Sequence, residues 1–98
     1  MVQSANAPRL VVLSARDNVA TVLTGAAAGT TLTHDGGSIA CAAEVPPGHK
    51  LALVAIPKGA KIIKFGVPIG SATQDIRPGE HVHAHNVASD YTPTWRGD

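Results

Sequence analysis

The chain has 98 residues and 10.0 kDa, with 44% apolar and 15% charged residues, the composition of one small folded domain, which excludes a multidomain enzyme. A net charge of +1 and only three aromatic residues argue against nucleic acid as a partner, even though Lys50, Lys58, Lys61 and Lys64 fall in one short stretch. The apolar set is dominated by Ala, Val, Ile and Leu, so the core is expected to be thin and to be supplemented by contacts with partner chains or with further copies in a homo-oligomer.

One cysteine, Cys41, cannot form an internal disulfide, and no apolar stretch approaches the length of about 18 residues that a membrane-spanning helix needs. Residues 1–9 lack a basic segment followed by an apolar run. The expectation is a cytoplasmic protein with no membrane association.

In chain order, residues 1–9 read as an N-terminal arm, residues 10–88 as one all-β domain and residues 89–98 as a C-terminal tail. Short β-branched runs predict strands at Leu10–Leu13, Val19–Leu23, Thr30–Thr33, Ser38–Glu44, Lys50–Ala55, Lys61–Phe65 and Glu80–Asn86. Ala26, Ala27 and Ala28 favour helix, but Gly25 and Gly29 bracket them and leave room for no more than a turn. Type II turns are predicted at Ala27–Thr30, Pro46–His49, Pro57–Ala60 and Arg77–Glu80, because Pro presets φ and Gly accepts the positive φ that follows. The glycines of these turns are separated by 19, 11 and 20 residues, which is not a solenoid period. Gly66 and Gly70 around Val67-Pro68-Ile69 read as a reversal or bulge, and Gly36-Gly37 as a hairpin tip. The tail carries the single Tyr and single Trp, Tyr91 and Trp95, as docking residues.

The segment His81-Val82-His83-Ala84-His85-Asn86 carries the densest chemistry. In a strand, alternate residues share a face, so His81, His83 and His85 would line up while Val82 and Ala84 face the core. Such a face suits metal ligation by His81, His83 and His85, anion binding, or proton transfer near neutral pH. A plain solvated strand face accounts for one or two such histidines but poorly for three. The turn Pro46-Pro47-Gly48-His49-Lys50 presents a second histidine and a lysine, on opposite strand faces unless the turn redirects one of them. Lys64 adds a cation at a strand end, and Cys41, inside an apolar run, reads as a buried hydrophobe.

Four stretches, Val45–Leu53, Ile56–Gly59, Ile63–Gly70 and Ile76–Asn86, occur in an order and spacing that resembles the SAF-type domain of altronate and galactarate dehydratases. That domain forms the N-terminus of these enzymes, or the separate small subunit of relatives such as sulfolactate sulfo-lyase. The resemblance covers residues 17–87. It implies a β-clip fold and a share in β-elimination from a small hydroxy-acid substrate, in company with a large catalytic dehydratase subunit that holds a divalent metal, iron or another ion. Carried over by position, His49, Lys50, His81, His83, His85 and Asn86 match the family motifs; His49, His83 and His85 are the candidate catalytic residues, and Lys50, Lys64 and Asn86 the candidate substrate contacts. Phe65 stands where the family more often has Tyr. The alternative is a non-catalytic carbohydrate- or protein-binding module, because SAF-type domains also occur in that setting, with a small metal-trafficking protein as a third reading.

Overall fold

A computed structural model describes residues 10–12, 14–34 and 37–89. The N-terminal arm and the Tyr91 and Trp95 tail lie outside the described residues. Nine short strands and no helix make up the described chain, so no helix there is long and apolar enough to cross a membrane. The strands are β1 (Leu10–Val11), β2 (Val19–Val22), β3 (Thr31–His34), β4 (Gly37–Ala40), β5 (His49–Ala52), β6 (Lys61–Lys64), β7 (Val67–Ala72), β8 (His81–Val82) and β9 (Val87–Ser89). They form an antiparallel sheet in the order β1-β2-β5-β8, the hairpin β3-β4, and a sheet β6-β7-β9.

The four predicted turns are all present. Each closes with a bond from the residue after Gly to the carbonyl two residues before Gly, as in His49 N–H to Pro46 O at 3.0 Å and Glu80 N–H to Arg77 O at 3.1 Å. The glycines lie at positive φ, 81° at Gly48 and 87° at Gly79, which the second central position of a type II turn requires.

Their uneven spacing has a structural cause, an internal duplication. Gly48 N–H bonds to Val22 O and Gly79 N–H to Ala52 O, both at 2.8 Å; Gly29 N–H bonds to Cys41 O and Gly59 N–H to Ala72 O, again at 2.8 Å. Isolated bridges pair Ala26 with Val45 in the first copy and Ile56 with Ile76 in the second. The gaps of 19 and 20 residues are the same unit used twice, and the gap of 11 is the join through β5. Each copy has its own small core. Val22, Leu32, Cys41, Val45 and Leu51 in one cluster correspond to Ala52, Ile62, Ala72, Ile76 and Val82 in the other. Two cores of small and β-branched side chains, each walled by a hairpin, explain how so thin an apolar set closes a domain. Cys41 is buried, as expected.

The structure refines the readings of Gly66–Gly70 and Glu80–Asn86. Of the two readings of Val67-Pro68-Ile69 the bulge is borne out and the reversal is not: Val67–Ala72 is the longest strand, and the β6-β7 register shifts between Ile62 and Ile63, which pair with Gly70 and Pro68. The reversal falls instead at Phe65-Gly66, where φ is positive at both residues (55° and 77°), the two-residue hairpin turn. Finally, the predicted strand Glu80–Asn86 stops at Val82, the chain turns through residues 84–86, and β9 begins at Val87. Ala84, expected to face the core, is therefore exposed, whereas Val82 is fully buried.

Candidate functional site

The site grows from the pairing of β5 with β8. Lys50 lies opposite Val82 and Leu51 opposite His81, so His49 and His83, the next residue along each chain, come face to face at the end of the ladder. Their rings stack with centroids 3.9 Å apart and an interplanar angle of 15°. His49 Nδ1 also lies 2.8 Å from His81 Nε2, a hydrogen bond in which one ring must donate and the other accept. One ring nitrogen from each of His49, His81 and His83 falls within 4.8 Å of the other two. His85 stands outside this trio, its ring tilted against His81 at 5.1 Å.

Asn86 shapes the segment. It is buried, its Oδ1 accepts a bond from His83 N–H at 3.0 Å, and its Nδ2 donates to His81 O at 2.9 Å. Both ends of the amide are thus spent on the backbone, which bends the chain out of the strand and carries His83 over His49. Sequence reasoning placed Asn86 in contact with substrate; in the structure it is buried and braces the histidine segment through two backbone groups.

On the other side of β5, Lys50 and His83 line a cavity of about 250 Å³ whose remaining walls are Ile62, Ile69, Val82 and Val87 with Ala84 and Ser89 at the edge. Burial holds the Lys50 ammonium below its ordinary pKa, and the nearby Lys64 charge lowers it further. Lys64 Nζ also lies 4.9 Å above the Phe65 ring. His83 therefore links what strand alternation alone would separate, since it touches His49 on one side and the Lys50 recess on the other.

Two of these imidazoles, His81 and His83, resist protonation. His81 is held below the usual histidine value by burial, then by His85, His49, His83 and Lys50. His83 is lowered by desolvation, then by His49, Lys50 and His85. Like charges gathered on one surface favour neutral rings, which are the forms able to accept a proton or ligate a metal.

The structure thus brings together His49, His81, His83, Lys50 and Lys64, sets His85 at the margin, and turns Asn86 inward. The part sequence reasoning missed is the coupling of His49 to His81, 32 residues apart. The signal available for it was the turn Pro46–His49, which starts β5 with His49 at its first position.

Fold and site define a small all-β domain that presents a cluster of histidines beside a recess holding Lys50. Residues 8–90 match the profile of the altronate/galactarate dehydratase SAF domain, and the chain belongs to that family. It is 46% identical over 78 residues to altronate dehydratase of Escherichia coli (strain K12), covering 80% of this chain and 16% of that protein. The altronate dehydratase of Bacillus subtilis (strain 168) is 41% identical over 75 residues, 76% of this chain and 15% of the relative. The (2R)-sulfolactate sulfo-lyase subunit alpha of Chromohalobacter salexigens is 51% identical over 43 residues, 44% of this chain and 46% of that subunit. The chain thus corresponds to about a sixth of the length of the dehydratases and to about half of the sulfo-lyase subunit.

Proposed function

We propose that this chain is the small subunit or N-terminal domain of a cytoplasmic lyase that performs β-elimination on a sugar acid or related hydroxy acid, in company with a larger catalytic chain. The observation that carries the reading is the stacked His49 and His83 pair, of which His83 lines the recess that holds Lys50, with Lys64 close by. Similarity to about a sixth of the length of two altronate dehydratases and to part of a lyase subunit supports it.

The chemistry fits these groups. Elimination removes a proton from the carbon α to a carboxylate and expels hydroxide, or sulfite, from the β carbon. Lys50 and Lys64 supply positive charge for the carboxylate, and the partly buried setting of Lys50 strengthens that attraction over its value in water. A neutral His83 can accept the α proton and, once protonated, deliver a proton to the departing hydroxyl, and the stacked His49 favours its neutral form. The divalent metal expected in the larger chain supplies Lewis acidity toward the developing enolate.

The test is to recover the tagged chain from its native host and identify what accompanies it. A stoichiometric larger subunit whose complex converts an aldonate or aldarate into a 2-oxo-3-deoxy acid, while the isolated chain does not, supports the reading. A chain recovered alone, folded and without such a partner, overturns it in favour of a binding module.

A further inference from the structure

We propose that His49, His81 and His83 form a site for a divalent first-row transition metal within this chain itself, with its open position toward the Lys50 recess. The trio differs from the one that strand alternation selects, His81, His83 and His85. His49 enters from β5, and His85 is left out.

Three independent features of the geometry support it. First, the three ligand nitrogens lie within 4.8 Å of one another, and two imidazole nitrogens bound to one tetrahedral ion are separated by about 3.4 Å, since each metal–nitrogen bond is about 2.1 Å. Second, the His49–His81 and His81–His83 ring centroids are 5.0 and 5.6 Å apart, close to the separation of about 5 Å that two imidazoles take on a shared tetrahedral ion, and the rings, now 25° and 11° from parallel, would turn to aim their nitrogens at it. The His49–His83 stack at 3.9 Å is tighter and would have to open, which the exposed position of His83 beyond the end of β8 allows. Third, the segment is built to hold this arrangement, because Asn86 ties the backbone at His81 and at His83. Bracing of this kind is what keeps metal ligands oriented.

The donor set determines the class of ion. Three imidazoles without thiolate or carboxylate suit zinc, cobalt, nickel or ferrous iron, and are poor ligands for magnesium or calcium, which take oxygen. Three protein ligands leave a fourth position, the arrangement of catalytic rather than structural sites. Because His83 is also a wall of the Lys50 recess, a carboxylate or hydroxyl oxygen lodged there is the natural fourth ligand.

The experiment uses the untagged 98-residue chain, titrated with Co²⁺, Zn²⁺ and Mg²⁺ by calorimetry and, for Co²⁺, by visible absorption. The expected result is one Co²⁺ or Zn²⁺ per chain, no Mg²⁺, and Co²⁺ ligand-field bands of a four- or five-coordinate site. His49→Ala and His83→Ala should each weaken binding by about 100-fold or more, beyond the loss typical of outer-shell partners, while His85→Ala stays near wild type. His83 is exposed, so circular dichroism of His83→Ala should be unchanged, and that variant decides the matter even if His49→Ala fails to fold. Absence of saturable binding, wild-type affinity in His83→Ala, or a loss in His85→Ala equal to that in His83→Ala would overturn the proposal. The measurement needs no partner chain, so metal binding without a lyase partner, or a partner without metal binding, separates this inference from the proposed function; with the ion bound, His83 acts by holding it and the proton transfer assigned to His83 above falls to another group.

Discussion

The side chain of Asn86 accepts a hydrogen bond from the backbone N–H of His83 at 3.0 Å, and this contact decides where the histidine cluster forms. The same amide donates to His81 O at 2.9 Å, and Asn86 N–H donates to His83 O at 3.1 Å, so three bonds close the turn around one buried residue. Without them the alternating histidines would have reason to continue as a strand.

Asn86→Ala removes both side-chain bonds and leaves a donor and an acceptor near the interior unpaired. Leaving a buried polar group unsatisfied costs about 1–3 kcal/mol, so a loss of about 3 kcal/mol is expected by urea denaturation. The His49–His83 stack should loosen as well, visible as altered ring resonances of both histidines by NMR. A variant as stable as wild type, with unchanged imidazole signals, would show that the turn holds without its brace.

This turn also shows how far sequence carries. The strands Val19–Val22, Thr31–His34 and Lys61–Lys64 and the Pro-Gly turns are local events, set by β-branched runs and by glycine at positive φ, and they stand close to where the residues place them. The histidine segment has a period of two, the pattern of a strand, yet a single buried amide overrides it. Strand β7 was hidden because Pro68 and Gly70 argue locally for a break. Its reasons are non-local: a bulge in β6-β7, and β9 lying so close that a Cβ on Gly70 would meet Ala88 O at 2.6 Å. The duplication was legible only as an odd series of turn spacings, since Leu32 and Ile62, or Cys41 and Ala72, occupy matching places without matching identity. The meeting of His49 with His81 and His83 depends on the β5-β8 pairing, which no local pattern encodes.

Two glycines with the same backbone test the packing around the second copy. Gly59 and Gly79 have φ of 88° and 87° and sit in type II turns of the same geometry at different places in the duplicated unit, Gly59 matching Gly29 and Gly79 matching Gly48. A Cβ on Gly59 would meet nothing within 4 Å, whereas on Gly79 it would run into Ala40 O and approach Ala42 N at 3.3 Å. Gly59→Ala should therefore lose only the left-handed penalty, about 1–2 kcal/mol, while Gly79→Ala adds a steric clash of about 1–3 kcal/mol on top. Gly79 O also accepts from Ala42 N–H at 2.8 Å, a link between the two copies that a shifted turn would break. Equal denaturation midpoints for the two variants would rule out this packing.

Stability should depend on pH through the histidines. Folding lowers the pKa of His81, first by burial and then by the charges of His85, His49, His83 and Lys50, and lowers that of His83 as well. Between the folded values and the unfolded value of about 6.5, the unfolded chain binds more protons, so stability rises with pH across that window. The contribution is fully present above about pH 6.5 and is lost as the pH falls through the folded values. In the presence of a chelator, the melting temperature should fall steadily from about pH 7 to about pH 5. His81→Gln should flatten the slope by removing the more buried of the two groups. A melting temperature that is flat or rising over this acid range would show that the cluster accepts protons as readily as free histidine.

In the assembled enzyme, Lys50 and His83 should fail in different ways. Lys50 stands in the recess with no opposing carboxylate on its walls, so its role is to attract a substrate carboxylate in the ground state and the transition state alike. Lys50→Met should raise KM by about tenfold or more and change kcat little, the mark of lost uniform binding. His83 is exposed, so its removal should leave the fold intact, yet it is the ring placed to exchange a proton with an occupant of the recess. His83→Ala should therefore lower kcat by about tenfold or more, within the range for losing acid–base help, and reshape the pH profile of kcat. Steady-state kinetics of the reconstituted complex across pH separate the two. If His83→Ala turned over at the wild-type rate, the stacked pair would be a packing feature of the subunit contact and the proton transfer would belong to the larger chain.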